Sequence, residues 1–84
     1  MITARQSRAA RALLGWTQET LADKAQVSLT ALKRLESESG LDVYETTRDQ
    51  VRRAFESAGL VLLSTEKGEG VLRLHEPRDQ SARR

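Results

Sequence analysis

The chain has 84 residues, a net charge of +2, one histidine and no cysteine. This length suits a single small domain with a modest core. The lack of cysteine excludes disulfides, thiol catalysis and thiolate-bound zinc or iron–sulfur sites, and one histidine cannot form a histidine metal cluster. No run approaches the ~20 apolar residues of a membrane span, and the N-terminus lacks the apolar segment of a signal peptide. We therefore expect a soluble cytoplasmic protein without a cofactor.

The charge is distributed unevenly along the chain. Residues 1–35 carry six basic and two acidic side chains, a net of +4, whereas residues 36–84 carry eight basic and ten acidic ones, a net of −2. A basic N-terminal half favours contact with a polyanion. Ordinary solvated helix faces would also account for these charges, so the charge alone does not decide between the two.

The first predicted helix covers residues 4–14. Thr3 before it is a typical N-cap, and Gly15 after it is a typical helix stop. Most residues between them have high helix propensity. A helix bounded by these two residues is therefore expected.

Two shorter helices are predicted over residues 18–25 and from 29 to about 37. Thr17 and Ser28 precede them as N-caps. Because only residues 26–27 separate the second helix from the cap of the third, the two helices must cross at a large angle, as in a helix-turn-helix. Aliphatic residues occupy the positions expected to face the core: Leu21, Ala22, Ala25, Val27, Leu32 and Leu35.

The second half begins with a predicted loop over residues 38–46 that tucks one or two apolar side chains under the domain. Thr47 and Gln50 then have the spacing of a capping box and predict the start of a fourth helix, which Gly59 closes. The apolar stripe predicted for this helix consists of Val51, Ala54, Phe55 and Ala58.

After the fourth helix the apolar pattern becomes that of β-strands. Residues 60–64 and 71–74 flank a glycine-containing turn, which predicts a β-hairpin. Two strands alone are marginally stable, so the hairpin must pack on the fourth helix or pair with another chain. The predicted domains are a helix-turn-helix domain (1–59), a C-terminal hairpin and dimerisation element (60–75) and a flexible tail (76–84).

Residues 17–36, TQETLADKAQVSLTALKRLE, resemble the Cro/repressor (xenobiotic-response-element, Xre) helix-turn-helix family. The matching features are a Thr–Gln start, a small residue at Ala22, Val–Ser before the third helix and an aliphatic–x–x–aliphatic–Glu close. Residues 11–16, RALLGW, also match the end of the family's first helix, and the resemblance covers about residues 5–60. Gln26 departs from the pattern, because the family usually has glycine there; a positive φ costs a glutamine about 1 kcal/mol.

The resemblance implies a mainly α, lambda-repressor-like four-helix domain, here followed by the hairpin, and a sequence-specific transcriptional regulator, for example a repressor, on double-stranded DNA. Gln18 corresponds to the residue that fixes the phosphate backbone. Arg11 and Glu36 correspond to a structural ion pair. On the third helix, Arg34 is suited to guanine, and Thr30 and Leu29 are suited to thymine methyl groups. The predicted DNA-binding residues are Gln18, Ser28, Leu29, Thr30, Lys33 and Arg34, although Ser28 is equally well explained as a cap alone.

Recognition of two DNA half-sites requires two copies of the helix-turn-helix, so we expect a homodimer on a palindromic operator. The candidate interface residues are Leu60, Leu62, Val71 and Leu74, and covering the core under Phe55 is an equally weighted alternative. The alternative function is a protein-interaction module of repressor-like fold, such as an antiactivator or antitoxin-type partner binder. Thr30, Lys33 and Arg34 favour DNA, whereas Leu29 favours a protein partner. The sequence contains no catalytic motif that would indicate an enzyme.

Overall fold

The computed structural model describes residues 1–37 and 42–75. Four helices are followed by an antiparallel hairpin, which confirms the predicted mainly α fold class: α1 (Ala4–Leu14), α2 (Gln18–Ala25), α3 (Leu29–Ser37), α4 (Glu45–Ser57), β1 (Leu60–Thr65) and β2 (Gly68–Arg73). The tail predicted over residues 76–84, and residues 38–41 of the predicted loop, lie outside the described residues. Within the described part of the chain, no helix has the length and apolar character needed to cross a membrane.

The first two helices begin and end where local sequence signals predict. The Thr3 hydroxyl accepts a hydrogen bond from the Gln6 N–H, and the Gln6 side chain accepts one from the Thr3 N–H, so each satisfies a free donor of the other. Gly15 ends α1 with a φ of +72°. The Thr17 hydroxyl accepts from the Thr20 N–H and caps α2. The predicted caps of both helices are confirmed.

The start of α4 differs from the prediction. Its N-cap is Tyr44, whose carbonyl accepts from the Thr47 N–H at 3.0 Å and which makes no side-chain cap. The predicted capping box of Thr47 and Gln50 is therefore wrong. Thr47, Val51 and Phe55 follow one another at intervals of four residues and are all buried, so Thr47 is the first member of the stripe that α4 packs on the core.

The core lies between the four helices and one face of the hairpin. Its buried hydrophobic residues are Ile2, Ala10, Leu21, Ala22, Ala25, Leu32, Leu35, Val51, Phe55 and Leu60. The rings of Trp16 and Phe55 stack with centroids 5.9 Å apart, which ties the α1–α2 connection to α4. Ile2, which the sequence patterns did not single out, is only 2% exposed.

The hairpin is attached to the helical domain by packing and by hydrogen bonds. Residue 60 pairs with residue 73 and residue 65 with residue 68, and β1 packs on α4 while β2 packs on α1. The buried Gln6 amide donates to the carbonyls of Leu63 at 2.7 Å and Gly70 at 3.1 Å, one on each strand. The hairpin is thus an integral part of the same packed unit as the helices.

This packing changes the interpretation of the candidate interface residues. Leu60 is 2% exposed and belongs to the core, so it is not accessible to a second chain, and the prediction is corrected at this residue. Leu62 and Val71 are half-buried and pack against the same core. Leu74 is exposed. The inner face of the hairpin therefore covers the core, and contact with another chain requires its opposite face.

Candidate nucleic-acid interface

Helix α3 has a buried side and an exposed polar side. Leu32, Leu35 and Glu36 are buried. The exposed side chains are separated by three, four and seven residues and so form one stripe along the helix: Thr30, Lys33, Arg34 and Ser37. Ser37 extends the predicted set by one turn. The stripe contains two cations, two hydroxyl groups and no acidic side chain.

The connection between α2 and α3 fixes the direction of α3. Gln26 ends α2 in the left-handed region, with a φ of +59°, and is the one non-glycine residue with positive φ in the described chain. The Val27 N–H returns to the Ala22 carbonyl at 3.1 Å, which completes a Schellman-type helix end. The Ser28 hydroxyl then accepts from the Ala31 N–H at 3.0 Å and caps α3. The backbone conformation expected for a helix-turn-helix is thus present without glycine.

The buried Glu36 carboxylate joins three helices. Arg11 of α1 donates to it through Nε at 3.0 Å to Oε2 and through Nη2 at 2.8 Å to Oε1, a bidentate pair. Ser7 of α1 donates through Oγ at 2.5 Å, and Gln18 of α2 donates through Nε2 at 3.1 Å. Because Glu36 is on α3, this cluster holds α3 against both other helices.

The surroundings of Glu36 keep it ionised. Burial raises the pKa of its carboxyl group, but the hydrogen bonds from Arg11, Ser7 and Gln18 and the positive charge of Arg11 lower it by more. The net result is a pKa below the ordinary glutamate value. A charged carboxylate with donors on both oxygens is the form that the fold requires.

Ser7 was not identified as a site residue from the sequence, although its spacing from Ala10 places it on the inward side of α1. It is fully buried, and it lies three residues before the buried Ala10 on the inward side of α1. Arg8 also contacts the end of α3, because its Nη1 donates to the Glu36 carbonyl. Two polar residues of α1 besides Arg11 therefore contact the residue that anchors α3.

Comparison with protein families matches residues 8–42 to the Helix-turn-helix family model, a stretch that contains most of α1 and all of α2 and α3. Over this part of the chain, the match confirms the predicted resemblance to helix-turn-helix proteins of the Cro/repressor type. This family is a DNA-binding, non-enzymatic domain, which supports a DNA-binding regulator. No curated protein and no solved structure matches the chain.

In DNA-binding helix-turn-helix domains the second helix, to which α3 corresponds, is the recognition helix. Thr30, Lys33 and Arg34 are exposed on it, as is Ser28 at its start. Leu29 is half-buried and packs against the core, so only part of its side chain is accessible to a base. The structure thus brings the predicted residues of the recognition helix together along one side, with Leu29 at its margin.

Gln18 is at the start of α2, the first helix of the helix-turn-helix. It is half-buried, and one N–H of its amide is directed to Glu36. The amide has a second N–H, which is the donor that a phosphate contact requires. Gln18 therefore belongs to the cluster that positions the recognition helix, which the sequence did not predict.

Tyr44 is a further residue beside the recognition helix that the sequence patterns did not assign to the site. Its side chain is 83% exposed, and it lines a cavity of about 410 Å³ together with Ala31 and Arg34. A phenol hydroxyl donates readily to phosphate oxygens. Tyr44 thus places a phenol group at the start of α4, in a cavity that Arg34 of α3 and Asp42 also line.

Proposed function

We propose that the chain is a sequence-specific transcriptional regulator that inserts α3 into the major groove and binds a palindromic operator as a homodimer. The observation that carries this proposal is the exposed stripe of Thr30, Lys33, Arg34 and Ser37 on a helix whose opposite side is anchored through Glu36. A helix of this polarity fits the major groove, and rigid attachment fixes which side chains meet the bases. Occupation of a promoter by the dimer would repress or activate transcription.

The residues of the stripe have different tasks in this proposal. Arg34 donates two hydrogen bonds to a guanine, and Thr30 contacts a thymine methyl group. Lys33, as a flexible point charge, contacts phosphates. Gln18, through its second amide N–H, and Ser28 contact the phosphate backbone at the two helix starts, where free N–H groups also favour an anion.

Replacing Arg34 tests the proposal, with Arg53 as the matched control. Arg53 on α4 is 72% exposed and pairs with Asp49, so Arg53→Ala removes the same charge from an element outside the helix-turn-helix. We expect Arg34→Ala to weaken binding to the best selected site by about 1–3 kcal/mol and to relax the preference at one base pair. Arg53→Ala should keep the preference at every position.

Unchanged affinity and unchanged base preference in Arg34→Ala would contradict the assignment of the recognition helix. The salt dependence of binding distinguishes DNA binding from the alternative function, a protein-interaction module. Because phosphate contacts release counterions, binding through this stripe must weaken steeply as the salt concentration rises. The basic stripe on α3 favours DNA, whereas the half-burial of Leu29 removes part of the apolar surface that favoured a protein partner.

A further inference from the structure

The amide of Gln18 is bonded to a buried charge on a different helix. Gln18 is the first residue of α2 and is half-buried, and its Nε2 donates to Glu36 Oε1 of α3 at 3.1 Å. A glutamine side chain has three rotatable bonds, so in solvent its amide samples many orientations. The bond to Glu36 restricts this freedom before any DNA is bound.

The other donors around Glu36 hold the carboxylate in the position that Gln18 requires. The Ser7 hydroxyl donates to Oε2 at 2.5 Å, and the Arg11 guanidinium donates to both oxygens. An ionised carboxylate only accepts hydrogen bonds, so the Gln18 amide meets it with its nitrogen and not with its oxygen. Because the carboxylate is fixed, the position of the Gln18 nitrogen is fixed as well.

Glu36 can affect DNA binding only through another group, because its own side chain is 2% exposed. Of its three side-chain donors, Ser7 is fully buried, and Arg11 also donates to the Trp16 carbonyl. Gln18 is the donor whose second N–H is assigned to a phosphate in the proposed function. The path from Glu36 to the DNA backbone therefore leads through the amide of Gln18.

We propose that Glu36 is a positioning residue for the phosphate contact of Gln18. The carboxylate holds the Gln18 nitrogen in place, so that the second N–H meets the DNA backbone without first having to be ordered. This inference rests on the proposed function, in which that N–H contacts a phosphate. Because Glu36 belongs to α3, the backbone contact of α2 keeps a constant register with the base contacts of the recognition helix.

The size of the effect follows from the ordering that Glu36 makes unnecessary. Ordering one flexible side chain at an interface raises the dissociation constant about two- to tenfold. A hydrogen bond to a charged group such as a phosphate lowers the dissociation constant by about tenfold or more. Without Glu36, much of what the Gln18 contact contributes to affinity is therefore lost to ordering.

A double-mutant cycle on DNA affinity tests the proposal. Glu36→Gln keeps the side-chain volume but has one acceptor oxygen, which the donor-only guanidinium of Arg11 requires, so Gln18 loses its charged acceptor. Affinity for a generic duplex is measured at one low salt concentration and at a temperature where circular dichroism shows all variants folded. We expect Gln18→Ala to weaken binding about tenfold in the parent and less than about threefold in Glu36→Gln.

Lys33→Ala is the matched control for this cycle. Lys33 is exposed on α3 and is also assigned to phosphates in the proposed function. Its replacement should weaken binding by the same factor in the parent and in Glu36→Gln, since sites without a shared partner contribute additively. A purely structural role of Glu36 would instead change the effects of Gln18→Ala and Lys33→Ala alike.

Hydrogen exchange of the side-chain amides in the free parent chain keeps the proposal testable if Glu36→Gln does not fold. We expect the Gln18 amide hydrogens, followed by nuclear magnetic resonance, to exchange with water more slowly than those of Gln50, an exposed glutamine of α4. Equal exchange at the two residues would overturn the proposal, because the Gln18 nitrogen would then not be held before DNA binds.

The outcomes of the cycle separate this proposal from the proposed function. If Gln18→Ala weakens binding equally in both backgrounds, Gln18 acts independently of Glu36 and the positioning role is wrong. If Lys33→Ala loses its effect together with Gln18→Ala, Glu36 only maintains the placement of α3, and the positioning role is again wrong. A parent chain that binds no duplex at low salt would overturn the proposed function itself, and the positioning role with it.

Discussion

Removal of the Glu36 side chain should destabilise the fold far more than removal of an exposed glutamate. Glu36→Ala leaves the Ser7 hydroxyl, which is fully buried, without its acceptor, and it leaves Arg11 and Gln18 without their carboxylate. A buried polar group without a partner costs about 1–3 kcal/mol, and a broken buried ion pair about 3–5 kcal/mol. Arg11 is 21% exposed and keeps its bond to the Trp16 carbonyl, so water relieves part of this penalty.

From these contributions we expect Glu36→Ala to lower the free energy of unfolding by about 3 kcal/mol. In a domain of this size, that change lowers the melting temperature by about 12–24 °C. Glu56→Ala is the matched control, because Glu56 is also the penultimate residue of its helix and also pairs with an arginine, but its side chain is 45% exposed. It should cost less than about 1 kcal/mol.

Thermal and urea unfolding followed by circular dichroism measure both variants against the parent. The decisive quantity is the difference between the two variants, since helix propensity changes alike in both. If Glu36→Ala melts within about 2 °C of Glu56→Ala, the Glu36 cluster does not anchor α3 and the reasoning is wrong.

Three further predictions concern pH, backbone strain and DNA contact. The pKa of Glu36 in the folded chain lies below its ordinary value of 4.5, so ionisation of Glu36 stabilises the fold above pH 4.5. This stabilisation is lost as the pH falls through the lower, folded-state pKa. Below pH 4.5, the urea midpoint of Glu36→Gln should therefore fall less steeply than the midpoint of the parent. Gln26→Gly should raise the free energy of unfolding by up to about 1 kcal/mol, since glycine adopts the positive φ without strain, and an unchanged or lower urea midpoint would refute this. Gln18→Ala should weaken binding to all DNA sequences about equally, and a shift in base preference in a competition assay would show instead that Gln18 reaches the bases.

The sequence predicted the first three helices well because their ends are determined locally. Thr3, Gly15, Thr17 and Ser28 each act through hydrogen bonds or backbone angles within a few residues. The positive φ at Gln26 follows from the resemblance instead, because the family usually has glycine at this position.

The start of α4 and the orientation of the hairpin could not be predicted in this way. Tyr44 caps α4 without a side-chain bond, and Thr47 is buried by tertiary packing, which no local pattern reports. Residues 60–63 are all aliphatic, so alternation could not show which side faces the core. The choice follows from packing on α1 and α4, which buries Leu60 and leaves Leu63 exposed.

For the candidate site, the sequence predicted the surface of α3 and, through the resemblance, the Arg11–Glu36 ion pair that holds it, but not the other donors to Glu36. Periodicity is sufficient to separate Thr30, Lys33 and Arg34 from the buried side of the helix. The bonds from Ser7 and Gln18 to Glu36 join residues 29 and 18 positions apart, and contacts over such separations are not encoded in spacing.

Selection of bound sequences from a random pool of double-stranded DNA tests most directly whether the chain reads DNA through α3. We predict that the parent enriches one motif with two inverted half-sites whose centres are about 34 Å apart, and that Arg34→Ala loses the preference at one base pair of each half-site. The claim that the chain reads DNA through α3 would be contradicted if the parent enriched no motif. It would also be contradicted if Arg34→Ala enriched the same motif as the parent.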